Sequence, residues 1–188
     1  INSGLLSQMF RRPVTIINNS TNSIPLDVCQ CLVGYQVKND PSIDKPKTMT
    51  EPVGVAVVAI IEALVDPEID NIVLINHSQG TIITGNVLRA LGNALHTLEK
   101  LEANPGTVEI MELDILDQLA LEKLPDVNHP YVDEAGGVLN YALKILTKLE
   151  VYTFANCSND MAYLAYLEKE SGEKIGLPYI ENIANKND

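Results

Sequence analysis

The stretch Asn71–Leu88, NIVLINHSQGTIITGNVL, constrains the fold more than any other part of the chain. Ile72–Ile75 is an apolar run rich in β-branched residues, the composition of a strand. It shows no alternation with polar residues, as expected of a parallel strand buried on both faces. A helical pattern begins at Gln79 and continues to about Leu101. Between them, Asn76-His77-Ser78-Gln79-Gly80 sets a serine on the bend, with a glycine two residues later. A strand that feeds directly into a helix needs a crossover before its next parallel neighbour, which points to an α/β sheet.

The rest of the chain is consistent with that layout. Val14–Asn18, VTIIN, reads as a buried strand followed by the turn NSTNS, and Leu26–Tyr35 as a short helix. Asn39–Pro52 is a proline-containing loop. Thr50 is a cap and Pro52 a first-turn residue for the helix EPVGVAVVAIIEALVD. That helix is apolar on nearly all sides, so it should be covered on more than one face. After a break at Asn104–Gly106 come a helix over Met111–Leu124, the loop PDVNHPYVDEAGG and a helix over Val138–Lys148. Val151–Ala155 is a strand, Asp160–Lys169 a helix, and LPYIENIAN contains a last short strand. Alternating strands and helices predict one α/β domain over 1–188, a mostly parallel sheet flanked by helices. Ligands in such sheets sit beyond the carboxyl ends of the strands, the edge that holds Ser78, Asn156 and Asn185.

Charge and composition exclude several functions. The net charge of −12, from 13 basic and 25 acidic residues, disfavours nucleic acid and anionic lipid as partners. No run approaches the roughly 20 apolar residues of a membrane span, and no signal-peptide order follows Ile1. Three cysteines, Cys29, Cys31 and Cys157, do not make a disulfide framework and favour a reducing, cytoplasmic compartment. Cys29 and Cys31 lie two apart on a helix, so their thiols diverge and no metal site is expected. There is no glycine-rich phosphate loop, and no cofactor is expected. The acidic, amphipathic MELDILDQLALEKL could face the core or serve as a lid or partner surface.

A serine on a sharp strand-to-helix bend has a chemical use. The bend lifts its hydroxyl above the sheet, and the helix beneath offers N–H groups and a positive dipole end. The N–H of Gln79 would face the oxyanion formed when Ser78 attacks a carbonyl. The plainer alternative is that Ser78 caps the helix. Asn156 and Asp160 are, most simply, turn and cap residues.

NHSQG resembles the G-x-S-x-G nucleophile elbow of the α/β-hydrolases, and HSQG is a frequent core in their lipases and esterases. Asn76 stands where a glycine is usual. LEVYTFANCSND is similar to the strand that follows the elbow helix in lipases of the class 3 group. YIENIANKND is similar to the next strand, which ends there on the catalytic aspartate. RRPVTIINNSTNSIPLDVCQCL looks like a segment of lipase-like hydrolases. The resemblance implies a three-layer α/β-hydrolase sandwich, possessing a candidate cap or insertion over 106–146 that shapes an acyl pocket. It implies a serine hydrolase of small-molecule or lipid esters, with Ser78 as nucleophile, Asp188 as acid, Gln79 at the oxyanion and no cofactor. Asp160 is the alternative acid.

The family order is serine, acid, histidine, yet His77, His96 and His129 all precede Asp188. His77 adjoins Ser78 and suits a supporting role. His96 lies about 27 Å along the helix from Ser78, out of reach. His129, in a proline-flanked loop, is the alternative base. The resemblance implies a base in a segment after Asp188 and a first strand before Ile1, the chain then being a core of a larger hydrolase. The competing expectation is a catalytically inactive binding or structural protein that keeps the fold. Oligomeric state is not legible here.

Overall fold

The computed structural model describes residues 3–17, 51–104, 115–158 and 161–184. The expectations for Leu26–Tyr35, Thr50, Cys29, Cys31, Asp160, Asn185 and Asp188 lie outside them. Helices α1 (Ser3–Phe10) and α2 (Glu51–Val65) precede β1 (Ile72–His77) and the long α3 (Gln79–Ala103). Then come α4 (Ile115–Lys123), α5 (Pro130–Ala135), α6 (Val138–Leu146) and β2 (Leu149–Phe154). The chain ends in β3 (Ala165–Glu168), β4 (Lys174–Leu177) and β5 (Tyr179–Ile183). This is an α/β-like arrangement of helices around a small parallel sheet ordered β1-β2-β5, with an antiparallel β3-β4 pair beside it. No helix among the described residues is long and apolar enough to cross a membrane.

The core forms where α2, α3, α4 and α6 meet one face of the sheet. Along α3 the buried positions Thr81, Thr84, Leu88, Leu91, Leu95 and Leu98 recur at helical spacing, flanked by Val87, Ala90 and Ala94. That wide stripe lets one helix touch α2, α4 and α6 at once. Val57, Ile61 and Leu64 of α2 pack fully buried, and Val55 points outward. Each such side chain contributes roughly 1.5–3 kcal/mol by leaving water. Residues of the 115–146 region enter the same core, among them Ala120, Leu124, Val132, Tyr141 and Ile145.

The turn from α5 to α6 depends on two glycines. Gly136 (φ 78°) closes α5 in the left-handed conformation, and Gly137 (φ 118°) opens α6. A Cβ at Gly137 would stand 2.9 Å from Glu102 Oε1. That carboxylate, carried by α3, accepts the N–H of Val138 and so caps α6 where the helix dipole is positive.

Four expectations are corrected. PDVNHPYVDEAGG is not all loop: it contains α5, which His129 caps and Pro130 opens. Residues 14–17 of VTIIN form no strand; among the described residues no ladder partner reaches them, and Ile17 packs against the core. β1 is not buried on both faces. Val73 is 47% and Ile75 56% exposed, and among the described residues the helices pack against the other face of the sheet. Of the helix expected over Asp160–Lys169, the described residues 161–169 form none: Ala165–Glu168 pairs with Lys174–Leu177 around a turn at Gly172 (φ 80°). Lys169 Nζ to Glu173 at 2.9 Å and the Lys169 N–H to the Glu173 carbonyl hold that hairpin. Here pairing overrides local helical spacing.

Candidate active site

The sheet register builds the site. Asn76, Thr153 and, on the far strand, Asn182 lie side by side in the last rows at the carboxyl rim, on the face toward the helices. Immediately beyond Asn76 and His77 the chain bends at Ser78, with φ 50° and ψ −120°, and α3 starts. Positive φ in a residue with a Cβ is a sparsely populated conformation, costing on the order of 1–3 kcal/mol unless its surroundings hold it.

The surroundings do hold it. The Ser78 N–H donates to the carbonyl of Phe154 at 2.9 Å, locking the bend to the end of β2. The Ser78 carbonyl accepts from the Thr81 N–H at 2.9 Å and from Thr81 Oγ1 at 2.6 Å. Thr81 is fully buried, and its Oγ1 in turn accepts from the Cys157 N–H at 3.0 Å. One threonine thus ties the bend to the loop after β2. Ala155, which begins that loop, also has positive φ (49°). Two strained residues therefore meet at this rim.

The capping alternative is met directly. Ser78 occupies the N-cap position of α3, but its side chain makes no capping hydrogen bond. The backbone is unlike that of an ordinary cap, which is extended. Gln79 is the first helical residue, its N–H at the positive end of the helix.

Asn76 is 8% exposed, and neither its Nδ2 nor its Oδ1 has a hydrogen-bond partner. A Cβ at Gly80 would stand 3.5 Å from the Asn76 Cβ, an ordinary contact. A small residue at 80 fits, and a longer one would have to pass Asn76. Asn182 Oδ1 accepts from Thr153 Oγ1 and from Asn156 Nδ2 at 2.9 Å. Asn156 Oδ1 accepts from the Ser158 N–H at 2.8 Å, an Asx turn as its residue type predicts.

The histidines are dispersed. His77, at the end of β1, is exposed on the sheet face opposite Asn76. His96 pairs with Glu99 on the surface of α3, Nδ1 to Oε2 3.5 Å. His129 is the N-cap of α5, its Nδ1 accepting from the Tyr131 N–H at 3.3 Å. Among the described residues no group of three or more His, Cys, Asp or Glu could hold a metal ion. Thr81 and Thr153 are the site residues that sequence reasoning missed. Their trace was a polar residue inside an apolar pattern, and only the register shows what each one meets. Comparison with family models, with curated proteins and with solved structures returns no match to this chain.

Proposed function

We propose that the chain is a serine hydrolase of carboxylic esters, lipase- or esterase-like, built on the three-layer α/β-hydrolase plan. The backbone of Ser78 carries the reading: it is strained, at the end of a parallel strand, and its hydroxyl forgoes the capping bond open to it. A serine kept for helix stability would use that bond. A strained serine with an uncommitted hydroxyl fits the role of nucleophile.

In this reading Ser78 Oγ attacks the ester carbonyl carbon and passes its proton to an imidazole. The Gln79 N–H steadies the tetrahedral oxyanion. Collapse expels the alcohol, which takes the proton, and leaves an acyl-serine. Water then releases the acid and restores Ser78. Asp188, or Asp160 in its place, orients the imidazole, which the family order puts after the acid. The substrate is a small-molecule or lipid ester, and the 106–146 region is the candidate wall of its acyl pocket.

A second reading, a fold-retaining binding or structural protein, is favoured by Asn76 at the glycine position with its amide unpartnered. The commitments of His96 to Glu99 and of His129 to Tyr131 favour it too. A fluorophosphonate probe followed by peptide mass spectrometry decides between them. The expected result is an adduct on Ser78 that vanishes in Ser78→Ala. Equal labelling of both proteins, or no adduct on Ser78 in a folded protein that carries the proposed imidazole, refutes the hydrolase.

A further inference from the structure

Both peptide groups that flank Ser78 are anchored to the same segment, the end of β2 and the loop after it. The Ser78 N–H reaches the Phe154 carbonyl directly, at 2.9 Å. The Ser78 carbonyl reaches the loop through Thr81, whose Oγ1 donates to it at 2.6 Å and accepts from the Cys157 N–H at 3.0 Å. Threonines in helices commonly turn the hydroxyl back to a carbonyl three or four residues earlier, a local bond that satisfies the donor alone. Here the acceptor side is used as well, by an N–H 76 residues later in the chain. Thr81 is fully buried, so a backbone group released by its hydroxyl has no water to turn to.

This relay fixes one peptide plane. The ψ of Ser78, −120°, sets the orientation of the Ser78–Gln79 peptide. A trans peptide is planar, with its C=O and N–H pointing opposite ways. Two donors draw the carbonyl into the first turn of α3, the Thr81 N–H at 2.9 Å and Thr81 Oγ1 at 2.6 Å. The Gln79 N–H of the same plane is thereby turned the other way, back past the start of the helix toward the rim. Without the hydroxyl, the Thr81 N–H still makes an ordinary first-turn bond, but the plane loses its tie to Cys157.

Resting on the hydrolase reading above, we infer that Thr81 is a positioning residue: through the Ser78 carbonyl it aims the Gln79 N–H at the oxyanion, and it makes that aim depend on the loop after β2. Thr81 touches no substrate and moves no proton. A displacement of Cys157 therefore reaches the oxyanion donor without any contact with the ester.

The kinetics of fluorophosphonate labelling at Ser78, in a folded protein that carries the proposed imidazole, test this. Outright loss of an oxyanion donor costs about 100- to 1,000-fold in kcat, so Thr81→Val, which misdirects one, should slow the covalent step about tenfold or more. The half-saturating probe concentration should stay near that of wild type, because binding is untouched. Thr81→Ser keeps the hydroxyl and should restore the rate. Thr97→Val is the control: it removes another buried hydroxyl of α3, bonded at 2.8 Å to the Asn93 carbonyl, and should leave the rate unchanged. Thr81→Ala carries the same expectation where Thr81→Val does not fold, and circular dichroism checks each variant. Wild-type labelling rates in Thr81→Val and Thr81→Ala overturn this inference alone, as does a loss that Thr81→Ser fails to restore or that Thr97→Val shares. A wild type that takes no label overturns the hydrolase reading and this inference with it.

Discussion

Replacing Ser78 by glycine and by alanine measures the strain at the bend. With φ 50° and ψ −120°, the serine carries roughly 1–3 kcal/mol of backbone strain. Glycine removes most of it and gives back about 0.5–1 kcal/mol through the greater freedom of the unfolded chain. The net expectation for Ser78→Gly is a stabilisation on the order of 1 kcal/mol, about 2–4 °C in Tm for a chain of this length. Alanine keeps the strain and removes a hydroxyl that makes no capping bond, so Ser78→Ala should stay within about 0.5 kcal/mol of wild type. An ordinary capping serine gives another pattern: alanine costs about 0.5–2 kcal/mol and glycine loses a few tenths. The assay is urea denaturation followed by far-ultraviolet circular dichroism, since the chain has no tryptophan to report by fluorescence. A loss of 1 kcal/mol or more in Ser78→Ala, with no gain in Ser78→Gly, would refute the strained elbow.

Two further substitutions probe buried polar groups. Tyr141 is buried and its hydroxyl has no partner, so Tyr141→Phe should stabilise the fold by about 1 kcal/mol, readable in the same denaturation curves. Burial, and next the neighbouring Tyr131, push the Tyr141 pKa above its ordinary value of 10.0. The folded state then holds the proton more tightly than the unfolded state. Stability is complete below pH 10 and falls as pH rises toward the raised value, by up to about 1.4 kcal/mol per pH unit. Tyr141→Phe should flatten that alkaline slope, and an unchanged slope would show that the hydroxyl is not its source. Asp117, on α4, is 3% exposed and accepts from Arg89 at 3.3 Å and Asn93 at 2.9 Å, both on α3. Asp117→Ala should cost about 1–3 kcal/mol by urea titration, less than a fully buried pair would, because the Arg89 side chain is 31% exposed and keeps water. A change below 0.5 kcal/mol, on the scale of an ordinary surface substitution, would mean that this pair does not join the two helices.

The legible parts of the fold were those whose signal is short-range. β1, the bend at Ser78, α3, α6 and β2 could be read because apolar periodicity and turn residues act within a few positions. VTIIN shows the limit: β-branched residues favour a strand only where an edge is there to pair with, and none among the described residues meets residues 14–17. YLAYLE is compatible with helical and with alternating spacing, and a cross-strand partner decides for the hairpin. The histidines were legible as residue types but not as partners. His129 ends as a helix cap because its loop places Nδ1 against the Tyr131 N–H.

The candidate site divides along the same line. By itself the amino-acid sequence determined that a serine would stand at a strand-to-helix bend with a small residue behind it, since strand propensity, helical period and glycine act locally. Tertiary structure alone decided that Thr81 would join Ser78 to Cys157, and that Asn182 would receive Thr153 and Asn156. It also decided that Val73 and Ile75 would stand exposed on one sheet face and that the Asn76 amide would be buried without a hydrogen-bond partner. These outcomes depend on register and on layer order, which bring together residues far apart in the chain. A pattern of apolar positions states which side of an element seeks cover; it does not name what provides it.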